Sequence, residues 1–202
     1  IALRDHSRRG PDVAAALERN RVAVALEAEI PVAGTSVGGA LVALLEAEFG
    51  ERRAADLLRY LRGPSGFSPG RVDWFERRLR RGRVRDAETA LLLWQGEDGE
   101  PPRDLLRLRE AAGRGAPALA AEVGALAARM ASRPLRGHGD GPRLPEGEGF
   151  ELRAASEIAS NLAELAALGP MAPRADELAP LIEELDFRAW SGPVAGRVRI
   201  AD

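Results

Sequence analysis

The sequence predicts a mainly α-helical protein with a small α/β part, and three observations carry that reading. Short apolar or alternating runs suited to a sheet open the chain at Ile1-Ala-Leu-Arg-Asp5 and Val22-Ala-Val-Ala-Leu26 and close it at Gly196-Arg-Val-Arg-Ile-Ala-Asp202. One helical pattern separates the first two runs, and strand, helix, strand is half of an α/β unit. From residue 36 to residue 191 the periodicity is almost entirely helical. The expected organisation is a split α/β domain of residues 1–35 and 192–202, interrupted by a large helical insertion over 36–191 with a flexible loop near 133–149. No lead precedes the opening strand and no turn follows the closing one, as expected of a fragment of a longer protein.

Each element has its own signal. Gly10-Pro11-Asp12 ends a turn, and Val13, Ala16 and Leu17 give one apolar face to a helix running into Asn20. After the second strand, Val37, Leu41, Leu44 and Leu45 mark a helix from Ser36 to Phe49. Leu57, Leu58 and Leu61 mark another from Arg52 to Arg62, broken by Gly63-Pro-Ser-Gly66. Further helices are expected over Gly70–Arg81, Asp86–Gln95, Pro102–Ala111 and Pro117–Ser132, the last with a core stripe of Leu119, Val123, Leu126 and Met130. Glycine and proline without apolar periodicity fill Arg133–Gly149, and order is expected to return at Phe150. Ile158, Leu162 and Leu165 mark one more helix, and Pro180 is placed as the first residue of the last, which carries Leu181, Ile182 and Leu185.

Composition excludes several chemistries. The 202 residues are enough to bury a core without metal or disulfide, and the absence of cysteine removes both disulfides and thiolate zinc sites. No signal segment or apolar run of membrane-spanning length is present, so a cytoplasmic protein without a membrane partner is expected. The net charge of -2 argues for no global attraction to nucleic acid. Every basic residue apart from histidine is arginine. Without lysine the chain holds no complete phosphate-binding P-loop, no Pro-Asp…Glu-x-Lys nuclease core following Pro11-Asp12, and no Schiff-base nucleophile.

One segment has the composition of a nucleic-acid site. Arg71-Val-Asp-Trp-Phe-Glu-Arg-Arg-Leu-Arg-Arg-Gly-Arg-Val-Arg85 holds seven arginines against two carboxylates. At 100° per residue Val72, Phe75 and Leu79 face the core, while Trp74, Arg77, Arg78 and Arg81 fall on the other side. Guanidinium groups pair with phosphates and an indole stacks on an unpaired base, so Arg71, Trp74, Arg77, Arg78, Arg81, Arg83 and Arg85 are the candidate DNA-binding residues. The plainer alternative is a solvated helix face, in which Asp73 with Arg77 and Glu76 with Arg80 form i,i+4 pairs.

Other motifs carry less. Asp5, His6 and Ser7 are triad residue types, but adjacent residues point apart, so no catalytic residue is assigned. His138 in Gly137-His-Gly-Asp140 has no second histidine nearby, and neither a metal site nor a cofactor is expected. Gly34-Thr-Ser-Val-Gly-Gly39 has the glycines of a phosphate loop without its lysine, and is expected to cap a helix through Thr35 or Ser36. Trp94 and Trp190 end apolar runs and are expected as core anchors.

The order Ile1-Ala-Leu-Arg-Asp5, Ala16-Leu-Glu-Arg-Asn-Arg21, Val22-Ala-Val-Ala-Leu-Glu27, Pro31-Val-Ala33, Ala40-Leu-Val-Ala-Leu-Leu45 and Ala55-Asp-Leu-Leu-Arg-Tyr-Leu-Arg62 resembles the second motor domain of UvrD-like helicases, and most of all the AddB-type subunit of bacterial ATP-dependent helicase-nucleases. The resemblance is specific over about the first 85 residues and the last seven. Where family members often place Gly-Ile-Pro before the second strand, this chain has Asn20-Arg21-Val22. The resemblance implies that the strand-helix-strand unit is interrupted by a helical 2B-like insertion and completed by the strand at Gly196–Asp202. It also implies a parent acting with a partner subunit in double-strand break processing and recombinational repair. The family's ATP-binding loop and its nuclease lie outside the matching region, so the expected role of this segment is DNA handling without catalysis. The competing expectation is a helical protein-protein interaction module that does not touch nucleic acid; a freestanding enzyme is the third and weakest.

Overall fold

The computed structural model describes residues 13, 16–17, 19–22, 24–26, 28–96, 100–133, 148–189 and 198–200. The opening run Ile1–Asp5, the Asp5-His6-Ser7 triplet, His138, Trp190 and all but residue 133 and the helical 148–149 of the expected loop 133–149 lie outside them. Of the first expected helix, residues 13, 16, 17 and 19 are helical, and Val13 and Leu17 pack against the core.

The chain is mainly helical. Its centre is α1 (Ser36–Glu48), enclosed by α2 (Ala54–Arg62), α6 (Ala116–Ser132), α7 (Glu148–Ala167) and α8 (Leu178–Glu183). This explains a sequence that is apolar nearly all round: every residue of α1 from Val37 to Leu45 is buried. Thr35 caps it, with Oγ1 accepting from the Gly38 amide at 3.0 Å and donating to the Val32 carbonyl at 2.7 Å. A Cβ on Gly38 would lie 2.0 Å from the Val32 oxygen, so only glycine fits where the preceding 3-10 turn (Val32–Gly34) folds back on the helix.

α6 and α7 form the most extensive helix pair, and Gly124 permits their closest approach, since a Cβ there would lie 3.2 Å from the Ala159 Cα. The expected stripe of Leu119, Val123, Leu126 and Met130 is fully buried. α3 (Pro69–Gly82), α4 (Ala87–Gln95) and α5 (Arg103–Gly113) complete the body, each within two residues of its expected limits. α7 begins at Glu148, two residues before the expected return of order at Phe150.

Among the described residues there are four short strands. β1 (Val24–Leu26) pairs in parallel with β4 (Val198–Ile200), Val24 opposite Val198. Both strands fall inside the runs expected at the two ends of the chain. β2 (Ala28–Pro31) pairs antiparallel with β3 (Asp186–Ala189). Their alternation is clean: Ile30 and Phe187 are opposed and buried, while Glu29 and Arg188 are opposed and exposed, with Arg188 Nε 3.4 Å from Glu29 Oε1.

This second ladder corrects the reading of residues 180–189 as helix running towards the Trp190 anchor. α8 ends at Glu183, and the alternating Asp186-Phe-Arg-Ala189 is strand. Pro180 is the third helical residue and not the first; its missing N–H costs nothing there, because the first four amides of a helix have no intrahelical acceptor.

Candidate nucleic-acid interface

α3 starts with Pro69 at its first position and ends at Arg83, whose φ of 52° places a non-glycine residue in the left-handed region. The Val84 amide then closes the helix on the Leu79 carbonyl at 3.1 Å. Val72, Phe75 and Leu79 are buried as the periodicity requires. Trp94, the expected anchor, is the hub beneath them. Phe67 and Phe75 meet its ring edge-on at 5.0 and 5.2 Å, and the Arg71 guanidinium lies 4.3 Å from its centroid. Arg71 thus remains exposed while its guanidinium is engaged in a cation–π contact with Trp94.

The outer face carries the remaining candidates together. Trp74 is 40 % exposed, and the Arg78 guanidinium covers one face of its ring at 5.0 Å. Arg77 and Arg81 are exposed, as are Arg83 and Arg85 beyond the helix end. Among the described residues none of the six candidate arginines has a carboxylate within 4 Å. Glu76 neutralises Arg80 at 2.6 Å and also pairs with Arg62, whereas the Asp73 and Arg77 spacing yields no ion pair. The Arg83–Arg85 turn is fixed to α2 through its main chain: the Ala54 amide donates to the Arg85 carbonyl and the Ala87 amide to that of Arg52, both at 2.7 Å. The face therefore offers unpaired guanidinium groups on a rigid helix beside a half-exposed indole. A base stacking on Trp74 would use the ring face that Arg78 leaves free.

The glycine-rich segment Gly34–Gly39 is capped from within. The Ser36 and Val37 amides donate to Glu151 Oε1 and Oε2 at 2.9 and 2.8 Å, so a carboxylate from α7 sits where a helix N-terminus would otherwise receive an anion. Among the described residues no group of three or more histidine or acidic side chains could hold a metal ion.

One polar cluster had no local signal. Asp104, at the start of α5 and 5 % exposed, accepts from the Tyr60 hydroxyl at 2.8 Å and from Arg133 Nη2 at 2.8 and 2.7 Å. Arg133 Nη1 donates further to the Pro64 carbonyl at 3.0 Å. Burial, reinforced by the charge of Asp104, pushes the Tyr60 phenol far above its ordinary value. Tyr60 is completely buried, and the cluster fastens α2, α5 and the end of α6 together. At the surface, Asp86 caps α4 by accepting from the Thr89 amide at 2.8 Å, which holds its carboxyl below the usual range.

No family model, curated protein or solved structure matches this chain. Among the described residues no helix is long and apolar enough to cross a membrane.

Proposed function

We propose that this chain is a non-catalytic DNA-handling part of an AddB-type helicase-nuclease subunit, acting in double-strand break processing and recombinational repair. The observation that carries the reading is the outer face of α3, where Arg77 and Arg81 project without carboxylate partners beside Trp74 and Arg78. Salt-bridged arginines have already exchanged water for a carboxylate; these have not, and phosphates are the partners that such a row of guanidinium groups fits. The parallel pairing of Val24–Leu26 with Val198–Ile200 supports the second half of the proposal. A helical body set between two strands, β1 and β4, that pair in parallel is the arrangement that an insertion into a motor domain requires. The partners in this reading are DNA and a helicase-nuclease partner subunit, and the chain works in the cytoplasm without ATP hydrolysis or strand cleavage.

The test is the anisotropy of a labelled duplex with a single-stranded overhang, titrated with the chain over a range of salt. Arg77→Glu/Arg78→Glu/Arg81→Glu lowers affinity and flattens the plot of log K against log salt by about 2 to 3, because each lost phosphate contact removes about 0.9 from the slope. A charge-matched Arg103→Glu/Arg107→Glu/Arg114→Glu control, on exposed residues of α5 and its C-cap, leaves the slope in place. Equal losses in both variants would assign the binding to net charge alone. Robust ATPase or nuclease activity of the purified chain would overturn the non-catalytic part.

A further inference from the structure

We propose that the groove between the end of α7 and α8 docks a basic amphipathic segment of a protein partner. Its apolar lining is Leu165, Met171, Pro173 and Leu181, and Asp176, Glu177 and Glu184 line it with them. Two large apolar side chains at this end of the molecule are left in water: Met171, 81 % exposed on the turn Gly169–Met171, and Leu168, 53 % exposed just before it. Methionine is the apolar side chain best able to remould itself around a ligand.

Charge selects the occupant. From Glu164 to Asp186 the chain has six carboxylates and one arginine. That arginine is spoken for: Arg174 Nε lies 3.2 Å from Asp176, and its own amide donates to Glu177 Oε2 at 2.7 Å. Among the described residues Glu164, Glu183 and Glu184 have no cationic partner within 4 Å, although the chain as a whole is nearly neutral. A nucleic acid or an anionic membrane surface would be repelled here. A segment with two or three apolar residues flanked by Arg or Lys would cover the apolar lining and neutralise the carboxylates. Among the described helices of a second copy, α5 exposes only Leu106 between Arg103 and Arg107, short of the two or three apolar residues the groove needs. The other basic helix, α3, has already buried Val72, Phe75 and Leu79 and keeps only Trp74 as an exposed apolar group.

This inference is independent of the DNA reading, since the groove shares no residue with α3. A random 12-residue peptide library displayed on phage is selected on the intact 202-residue chain and counter-selected on Met171→Asp/Glu184→Arg. The enriched peptides are expected to share apolar residues at helical spacing between Arg or Lys. In anisotropy titrations of one such peptide, Met171→Asp alone and Glu183→Arg/Glu184→Arg alone each weaken binding at least about tenfold, the scale of one lost ion pair or apolar anchor. The α3 triple variant binds the peptide unchanged, and the groove variants keep their affinity for DNA. Circular dichroism checks that each variant folds; should Met171→Asp not fold, Glu183→Arg/Glu184→Arg decides alone. Three results would overturn the proposal: no enrichment over the counter-selected chain, enrichment of peptides without net positive charge, or a concentration-dependent dimer in sedimentation that Met171→Asp abolishes.

Discussion

The alkaline limb of stability tests the buried cluster more sharply than any deletion. Tyr60 is the only tyrosine, and the chain has neither lysine nor cysteine, so between pH 9 and 12 its phenol is the one side chain that titrates. In the folded state burial first, then the Asp104 carboxylate and the hydrogen bond to it, raise the phenol pKa far above the ordinary value near 10, with Arg133 opposing. A raised folded pKa means that the native state keeps its proton where the unfolded chain releases it. The associated stability is fully present below the unfolded pKa and is lost as pH climbs above it. Each pH unit well inside that window costs about 1.4 kcal/mol, so from pH 10 to 12 the loss is on the order of 2 kcal/mol. Urea unfolding followed by circular dichroism should give midpoints that are level at pH 8–9.5 and then fall, while tyrosinate absorbance at 295 nm rises only as the chain unfolds. Tyr60→Phe should start lower by about 1 to 2 kcal/mol, for the lost charge-assisted hydrogen bond, and stay level. A wild-type midpoint that does not move to pH 11.5, or the same fall in Tyr60→Phe, would refute this account of the cluster.

Asp104→Ala removes the acceptor of both Tyr60 and Arg133; leaving a buried hydroxyl and a cation only 24 % exposed should cost about 3 kcal/mol in urea unfolding, near the lower bound for a broken buried pair. Gly38→Ala drives a methyl into the Val32 carbonyl at 2.0 Å and should cost about 3 kcal/mol or more, seen as a lowered Tm or loss of soluble protein. Glu151→Gln keeps the shape of the plug over α1 but replaces one accepting oxygen with a donor and removes the charge at a helix N-terminus. It should cost about 1 to 2 kcal/mol by chemical denaturation, and a value indistinguishable from zero would show that the two amides are equally well served by water.

What could be read from the residues follows the range of the interaction. The helices were legible because Val72, Phe75 and Leu79, or Leu119, Val123, Leu126 and Met130, repeat within one helix and need no partner to be recognised. Thr35 as a cap and Trp94 as an anchor follow from their immediate neighbours as well. β3 was missed because Asp186-Phe-Arg-Ala189 is only two alternations long and follows a helix at once; its proof lies in β2, far away in the chain. The Asp104 cluster and the Glu151 plug could not be read at all, since Asp104 meets Tyr60 across 44 positions and Glu151 meets Ser36 across 115. A charged residue in an amphipathic helix looks the same in sequence whether it ends in water or against a partner. The exposure of the α3 arginines was legible, but not that the Arg71 guanidinium would lie over Trp94 or that Arg78 would cover Trp74.

The rung between Pro31 and Asp186 sets the two ends of the helical body side by side. Everything from Val32 to Leu185 leaves and returns through a gap about 5 Å wide, the spacing of paired strands. The strands are also part of what the body packs on: Ile30 and Phe187 belong to its core, and the Phe187 ring lies 6.5 Å from that of Phe150 on α7. A tight two-residue turn joining Pro31 to Asp186 would span the same gap and leave a bare hairpin. Glu29 and Arg188 are 159 positions apart, so their pairing depends on the body between them bringing its two ends together, and the strand register is a readout of the integrity of the whole.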